Sequence, residues 1–172
     1  MAGMEIVFID VETTGLGPAA EVVEIAVLDE SGAMLFESLV CPSDPWGYIC
    51  EEIHGITARE LASAPGFSMV AAELGRVLEG VVIAGHGVAF DAAMIQAGYS
   101  RAGEPAPSWS GTLCTMELAA ERFGLEGRIS LSSALARAGL VPPPGRAHRA
   151  GRDAEASRLL WLTLDRSRPA AA

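Results

Sequence analysis

The sequence contains no lysine, no asparagine and a single glutamine, so all twelve of its basic residues are arginine. Its three cysteines, Cys41, Cys50 and Cys114, are an odd number without a Cys-x-x-Cys pair, which argues against a disulfide framework or a zinc site. We therefore expect a reducing, cytoplasmic location. No apolar run is long enough to span a bilayer, and Glu5 and Asp10 interrupt the segment where a signal peptide would need its apolar stretch. We expect no membrane contact.

Positive charge is scarce as well. Twelve basic residues against 22 acidic ones give a formal net charge of −10. This balance argues against a protein that holds nucleic acid through a broad basic surface. It is compatible with cleavage of a phosphate ester if bound metal ions supply positive charge locally. The chain has 172 residues, half of them hydrophobic, and we expect one domain over residues 1–172 whose last few residues form a short flexible tail.

A continuous apolar run near the N-terminus ends in two carboxylates. Residues 6–9 are β-branched or aromatic, which predicts a strand buried on both faces and central in a sheet. Asp10 and Glu12 lie two positions apart, so along a strand both side chains point to the same face, about 7 Å apart. Two such anions repel each other and are costly to bury unless a cation lies between them. The segment alone leaves open the alternative of a solvated acidic turn.

The order of the remaining elements predicts the fold class. Strands are expected at residues 21–29, 33–41 and 81–84, and a capping box formed by Thr57 and Glu60 opens a short helix. Further helices are expected at residues 68–78, 90–99, 115–123, 132–138 and 153–165. The short loops between the first three strands indicate an antiparallel meander. We predict an α/β fold with a mixed sheet, the meander plus parallel strands, flanked by helices.

Two later segments carry chemistry of the same kind. In His86-Gly-Val-Ala-Phe-Asp91, the aspartate lies just inside a helix that follows a strand. In His148-Arg-Ala-Gly-Arg-Asp153, a histidine precedes an aspartate at the start of the last helix. Each segment alone has a structural alternative, because an aspartate in the first turn stabilises a helix through its dipole.

Taken together and in this order, these motifs resemble the DEDDh class of 3′→5′ exonucleases. This is the proofreading family that includes proteins similar to the epsilon subunit of bacterial DNA polymerase III. The intermediate segment Ile53-His-Gly-Ile-Thr57 also looks like that family. The resemblance implies a ribonuclease-H-like fold. It also implies a metal-dependent enzyme that releases nucleoside 5′-monophosphates from the 3′ end of single-stranded or frayed DNA.

The resemblance also implies the roles of five residues. Two divalent ions, Mg²⁺ or Mn²⁺, would be bound, which suits hard oxygen ligands and a phosphodiester substrate. Asp10, Glu12 and Asp153 would hold the ion that activates water. Asp10 would bridge to the second ion, and Asp91 would hold that ion. His148 would be the general base, because histidine exchanges protons near neutral pH.

Substrate contacts follow from the same resemblance. The residues expected to bind the terminal nucleotide are Thr13, Thr14, Gly15, Leu16, His54 and Phe90. In the family, the turn containing the two threonines hydrogen-bonds that nucleotide, and the position of Leu16 packs against its base. For His54, a structural cap on the following turn is an equal alternative.

Two positions depart from the family pattern. Gly87 occupies a place where asparagine is common, and Ile49 a place where an acid is common. Neither is a predicted metal ligand or the predicted base, so we still expect activity.

Arg146, Arg149 and Arg152 surround the predicted base, where they either contact phosphates or form a solvated basic loop.

Two other functions stay open at this point. One is an exoribonuclease or oligoribonuclease-like enzyme that trims RNA, since the discriminating contact would be with the 2′-hydroxyl. The other is a catalytically weak nucleic-acid-binding module of the same fold. The two threonines after Glu12 favour DNA. A polymerase partner is left open, although no long tethering tail follows the last helix. Gln96 lies in a predicted helix, so we expect no glutamine-anchored clamp-binding peptide. The sequence predicts no oligomeric state.

Overall fold

The computed structural model describes residues 5–47 and 49–166. The strands are β1 (Ile6–Thr13), β2 (Val22–Asp29), β3 (Met34–Leu39), β4 (Val82–Gly85) and β5 (Gly111–Cys114). The helices are α1 (Glu51–His54), α2 (Ala58–Ala62), α3 (Phe67–Leu78), α4 (Val88–Ala102), α5 (Thr115–Arg122), α6 (Leu131–Arg137) and α7 (Ala150–Arg166). The predicted flexible tail, residues 167–172, lies outside the described residues.

The strands form one five-stranded sheet in the order β3-β2-β1-β4-β5. Strands β1, β2 and β3 pair antiparallel, whereas β4 pairs parallel with both β1 and β5. The predicted mixed sheet with an antiparallel meander is therefore confirmed. Strand β1 lies in the centre, as its continuous apolar run predicts.

The two faces of β1 are covered by different helices. Ile9 belongs to a core cluster that includes buried residues of α3 and α4. Phe8 points to the other face, where its ring packs against Trp161 of α7 with centroids 5.5 Å apart. Because side chains alternate along a strand, Asp10 and Glu12 continue the Phe8 face. The predicted acidic pair is thus directed to the side of the sheet that α7 covers.

Several element boundaries differ from the sequence predictions. The capping box is present: the Thr57 side chain accepts from the Glu60 amide, and the Glu60 side chain accepts from the Thr57 amide. Helix α4 begins two residues earlier than predicted, directly after Gly87, whose φ of +102° suits glycine. Helix α7 likewise begins at Ala150 instead of Asp153. Strand β5 (Gly-Thr-Leu-Cys) and helix α1 (Glu-Glu-Ile-His) were not predicted, because four residues are too few to show a period and neither segment forms the continuous apolar run that marks β4.

A gap opens in the sheet beside the acidic end of β1. The parallel pairing between β1 and β4 ends at Phe8 and Ala84, while β1 remains paired with β2 as far as Thr13. Gly85 lies at the point of divergence, where a Cβ atom would be 2.9 Å from the Ile9 carbonyl oxygen. Only glycine permits that approach. The carboxyl ends of parallel strands are where α/β sheets commonly form binding clefts.

The structure also bears on the predictions about disulfides and membrane-spanning segments. Cys41, Cys50 and Cys114 are all free. Within residues 5–47 and 49–166, no helix is both long enough and apolar enough to cross a bilayer.

Candidate active site

The structure brings together the five residues predicted to be catalytic. Asp10, Glu12, Asp91, His148 and Asp153 all line one cleft with a volume of about 400 Å³. The cleft lies at the gap beside β1, between the N-terminal ends of α4 and α7. These five residues come from three separate parts of the chain, and motif order alone does not require that they converge.

Each acidic side chain has a fixed place in this cleft. Asp91, in the first turn of α4, reaches across the gap, and its Oδ1 accepts a buried 3.1 Å hydrogen bond from the Val11 amide. This bond satisfies a backbone donor of β1 that β4 no longer covers. Asp153, in the first turn of α7, brings the fourth carboxylate to the same cleft.

The cluster is electrostatically unfavourable for anions. Burial raises the pKa of Asp10 well above its usual range, and repulsion by Asp91, Glu12 and Asp153 adds to the effect. Burial likewise raises the pKa of Glu12 to about 8, with a further contribution from Asp153. The pKa of Asp91 is raised to about 7 by burial. These carboxylates therefore form a set that a bound cation would stabilise.

The donor atoms also fit a metal ion by their chemistry. Glu12, His148 and Asp153 each offer a ligand atom, and these three atoms lie within 4.8 Å of one another. Carboxylate oxygens dominate the cleft, and such hard donors suit Mg²⁺ or Mn²⁺. The site could therefore hold a divalent cation on the side that faces α7.

The segment before α7 holds its histidine in an uncommon backbone conformation. His148 has a φ of +60°, and its amide donates a 2.9 Å hydrogen bond to Oδ2 of Asp153. The other oxygen of Asp153 accepts a 2.6 Å hydrogen bond from Nη1 of Arg152. A residue other than glycine in the left-handed region is strained and often marks a functional site. The predicted base and a predicted metal ligand are thus directly linked.

An ion pair between a buried glutamate and a half-exposed arginine anchors this segment to the sheet. Glu24 of β2 accepts from Nε of Arg149 at 3.0 Å and from its Nη2 at 2.5 Å. The second oxygen of Glu24 accepts from the Ala150 amide at 2.8 Å. Glu24 is only 2% exposed, so these bonds hold the residues after His148 against the centre of the fold.

The flanking arginines are therefore occupied by contacts within the protein. Arg149 and Arg152 pair with Glu24 and Asp153. Arg146 donates to the carbonyl oxygen of Glu52 at 3.0 Å. In this arrangement they stabilise the segment instead of forming a free solvated basic loop.

The turn predicted to bind the terminal nucleotide follows β1 directly. The Thr13 hydroxyl donates to the Gly15 carbonyl at 2.6 Å, and the Thr14 hydroxyl accepts from the Glu21 amide at 3.0 Å. Both hydroxyls thus hold the turn together. Leu16, at its tip, is 88% exposed and lines the cleft. A large apolar side chain in this position is available to a ligand. Phe90 lines the same cleft.

His54 is buried and engaged by the backbone. Its Nδ1 accepts a 3.0 Å hydrogen bond from the Ile56 amide, and its Nε2 is hydrogen-bonded to the Ile49 carbonyl. Burial lowers its pKa. This geometry favours the structural alternative for His54, a cap on the following turn. Ile49 is itself buried, so the departure from the family pattern places an apolar side chain in the core.

Two further residues line the cleft that the sequence did not single out as site residues. His86 is fixed by hydrogen bonds to the Thr115 hydroxyl at 3.1 Å and the Ile129 carbonyl at 2.8 Å. Arg128 lies in the loop between α5 and α6 and is exposed. Its place in the chain, outside every motif, carries no local signal. Glu24 was equally hidden, since it lies 125 residues from Arg149.

Comparisons with known proteins find similarity to exonucleases. Residues 7–160 match the profile of the Exonuclease family, RNase_T. An uncharacterized exonuclease of Escherichia phage 186 is 46% identical over 59 residues, which is 34% of this chain and 30% of the relative. A DNA polymerase III subunit epsilon-like protein of Rhodobacter capsulatus is 30% identical over 165 residues, which is 92% of this chain and 23% of the relative.

Among solved structures, exonuclease X in complex with 5′ overhanging duplex DNA is similar with a TM-score of 0.67 and 26% identity. That match covers 94% of this chain and 92% of the other chain. The present chain spans less than a third of the length of the two curated relatives named above.

Proposed function

The chain belongs to the Exonuclease family RNase_T, and from that premise we propose that it is a 3′→5′ exonuclease. In this proposal it releases nucleoside 5′-monophosphates from the 3′ end of DNA, single-stranded or frayed. The observation that carries the proposal is the convergence of four carboxylates and one histidine in a single cleft at the end of the central strand. We further propose that residues 1–172 form one exonuclease domain that works in the cytoplasm.

The acidic cluster suits a two-metal site. We assign Asp10, Glu12, Asp91 and Asp153 as ligands of two divalent ions, Mg²⁺ or Mn²⁺. Such ions, when bound, lower the proton affinity of a water molecule and neutralise charge on the attacking and leaving oxygens. The raised pKa values of Asp10, Glu12 and Asp91 support this assignment, since a cation would remove their mutual repulsion.

We assign His148 as the general base. Its side chain is exposed at the cleft, while its amide is tied to Asp153, so the ring is held beside the carboxylates without being buried among them. In this role, one ring nitrogen takes a proton from the attacking water. The anchored segment limits how far the imidazole can move from that position.

Substrate binding is assigned to the turn after β1 and to Phe90. The exposed side chain of Leu16 and the ring of Phe90 both line the cleft and offer apolar contact to a terminal base. The turn formed by Thr13, Thr14 and Gly15 is the proposed hydrogen-bonding contact of the terminal nucleotide. The DNA-bound structure of exonuclease X and the epsilon-like relative support DNA as the substrate. Similarity to the epsilon-like relative is also compatible with a polymerase as a partner of this protein.

The test is a cleavage assay on end-labelled oligonucleotides. Single-stranded DNA and RNA of the same sequence, labelled at the 5′ end, are incubated with Mg²⁺, with Mn²⁺ or with EDTA. We expect ladders that shorten from the 3′ end in the presence of metal and no products in EDTA, with DNA degraded faster than RNA. Faster cleavage of RNA would reverse the substrate assignment. Absence of cleavage with every polymer and metal would refute the enzyme and favour a binding module.

The role of His148 has its own test, because the histidine also belongs to a group of three residues that could hold a metal ion. We expect His148→Ala to lower kcat by about 10²–10⁴-fold, the range for loss of a general base. Mn²⁺ affinity, measured by calorimetry, is expected to stay within about threefold of the wild type if the base role is correct. A large loss of Mn²⁺ affinity would instead identify His148 as a ligand.

A further inference from the structure

A second cavity adjoins the catalytic cleft and shares a wall with it. This cavity has a volume of about 230 Å³, and Gly87, Phe90 and Arg128 line both spaces. The remaining wall is formed by Val88, Ala89, Thr112, Cys114, Met116 and Glu117. The shared wall consists of the start of α4 and the loop before α6, so the two cavities form neighbouring compartments of one groove.

Arg128 differs from the other arginines around the site. Arg146, Arg149 and Arg152 donate to protein acceptors, as described above. Arg128 is exposed and forms no hydrogen bond or ion pair with any residue within the parts of the chain that the structure describes. It is also the single arginine that lines either compartment among those residues. Its guanidinium is therefore free to bind an anion.

We propose that the second cavity holds the nucleotide next to the terminal one, and that Arg128 binds the backbone phosphate that joins this nucleotide to the rest of the strand. This inference rests on the proposed exonuclease function. A polymeric substrate must leave the cleft through an adjacent groove, and each further nucleotide brings one more phosphate. The planar guanidinium of arginine forms paired hydrogen bonds to phosphate oxygens, which makes it well suited to that contact.

The composition of the second cavity agrees with this division. Phe90 and Met116 present apolar surface, on which a base of any sequence can pack. Glu117 also lines this cavity and repels a phosphate, whereas Arg128 attracts one, so we expect the anion at Arg128. The protein has a net charge of −10 and no lysine, so an isolated free arginine beside the cleft is not part of a general basic surface.

The test compares a polymer with a substrate that has no second nucleotide. Arg128→Gln is assayed on a 5′-labelled thymidine oligonucleotide and on the p-nitrophenyl ester of thymidine 5′-monophosphate. We expect kcat/KM to fall about tenfold on the oligonucleotide, the effect of one lost charge-assisted hydrogen bond, and to change less than about twofold on the ester. The matched control is Arg137→Gln, at an exposed arginine in the last turn of α6, for which both substrates should behave as in the wild type.

Each outcome decides the inference. An equal loss on both substrates, or no loss on either, would overturn it. Oligonucleotide binding by anisotropy in EDTA supplies a measurement without cleavage: the slope of log Kd against log salt should fall by about 1 in Arg128→Gln. If the wild type cleaves neither substrate, the proposed function fails. In that case the salt slope alone decides, and an unchanged slope would overturn the inference.

Discussion

Two glutamates lie opposite each other on neighbouring strands at the centre of the sheet, and their electrostatic surroundings differ. Glu12 of β1 and Glu24 of β2 are register partners, and both side chains are largely withdrawn from solvent, at 9% and 2% exposure. Glu24 is neutralised by Arg149, whereas burial and the nearby carboxylate of Asp153 raise the pKa of Glu12 to about 8. The charge of Glu24 is thus neutralised within the protein, whereas the carboxylate of Glu12 has no neutralising partner among the residues that the structure describes and is available to a cation. Like charges placed opposite each other in a sheet are otherwise destabilising.

The largest effect on activity is expected when Glu12, the glutamate without a neutralising partner in the described part of the chain, is changed. Glu12→Gln keeps the shape but removes the charge, and we expect kcat/KM to fall by at least about 10³-fold, because several kcal/mol of metal-derived stabilisation are lost. The same variant should be more stable than the wild type in EDTA. A Glu12→Gln protein that is less stable would contradict the comparison.

The stability difference should depend on pH with a definite sign. Folding raises the pKa of Glu12 from 4.5 to about 8, so the folded wild type holds a proton that the unfolded chain has released. Its stability therefore falls as the pH rises between those values, whereas glutamine does not titrate. We expect the gap in Tm between Glu12→Gln and wild type to widen from about pH 5 to about pH 8 in EDTA. Added Mn²⁺ should close the gap by stabilising only the wild type.

A change at Glu24 is expected to lower activity less than a change at Glu12. It should lower the stability, whereas Glu12→Gln raises it. Glu24→Gln still accepts the Ala150 amide but leaves Arg149 without its counter-charge, so the anchor of the His148 segment is weakened. We expect a loss of about 10–100-fold in kcat/KM, the range for residues that orient metal ligands, together with a lower Tm. Assays well below the Tm separate the two effects.

The matched control lies on α7, the helix that follows the His148 segment. Glu155 pairs with Arg158 through Nε at 2.6 Å, away from the cleft. Glu155→Gln should leave kcat/KM within about twofold of the wild type, because neither Glu155 nor Arg158 lines the cleft. If this control lost as much activity as Glu24→Gln, the anchor would have no special role.

The smallest effect is expected at the turn after β1, where no charge is involved. Leu16→Ala removes apolar contact worth about 1 kcal/mol, so KM for oligonucleotides should rise about fivefold with an unchanged kcat. Met69 is similarly exposed but lies in α3, outside the cleft, and Met69→Ala should have no effect. An unchanged KM in Leu16→Ala would exclude this leucine from substrate binding.

The sequence predicted the parts of the site that are encoded locally. A buried strand that ends in Asp10 and Glu12 dictates by alternation alone that both carboxylates share a face, and the structure has them on the α7 side of the sheet. The later motifs place Asp91 and Asp153 in the first turns of their helices because strand, loop and helix signals are short-range.

The parts that escaped prediction depend on distant contacts. The Glu24–Arg149 pair joins positions 125 residues apart, and nothing in either neighbourhood marks them as partners. Arg128 is a loop residue whose importance comes only from what is near it. For His54, the sequence left two roles open, and the choice depends on burial, which the local pattern of a four-residue helix does not reveal.

The hydrogen bond from the Val11 amide to Asp91 makes one backbone proton a reporter for the catalytic cleft. Oδ1 of Asp91 accepts this hydrogen bond at 3.1 Å, so the Val11 amide is directly coupled to the carboxylate. A cation bound by either oxygen of Asp91 withdraws electron density from the carboxylate and so changes this hydrogen bond. The amide resonance of Val11 in a nitrogen-15 spectrum should therefore shift during a metal titration, and it offers a way to follow occupancy of the cleft without substrate.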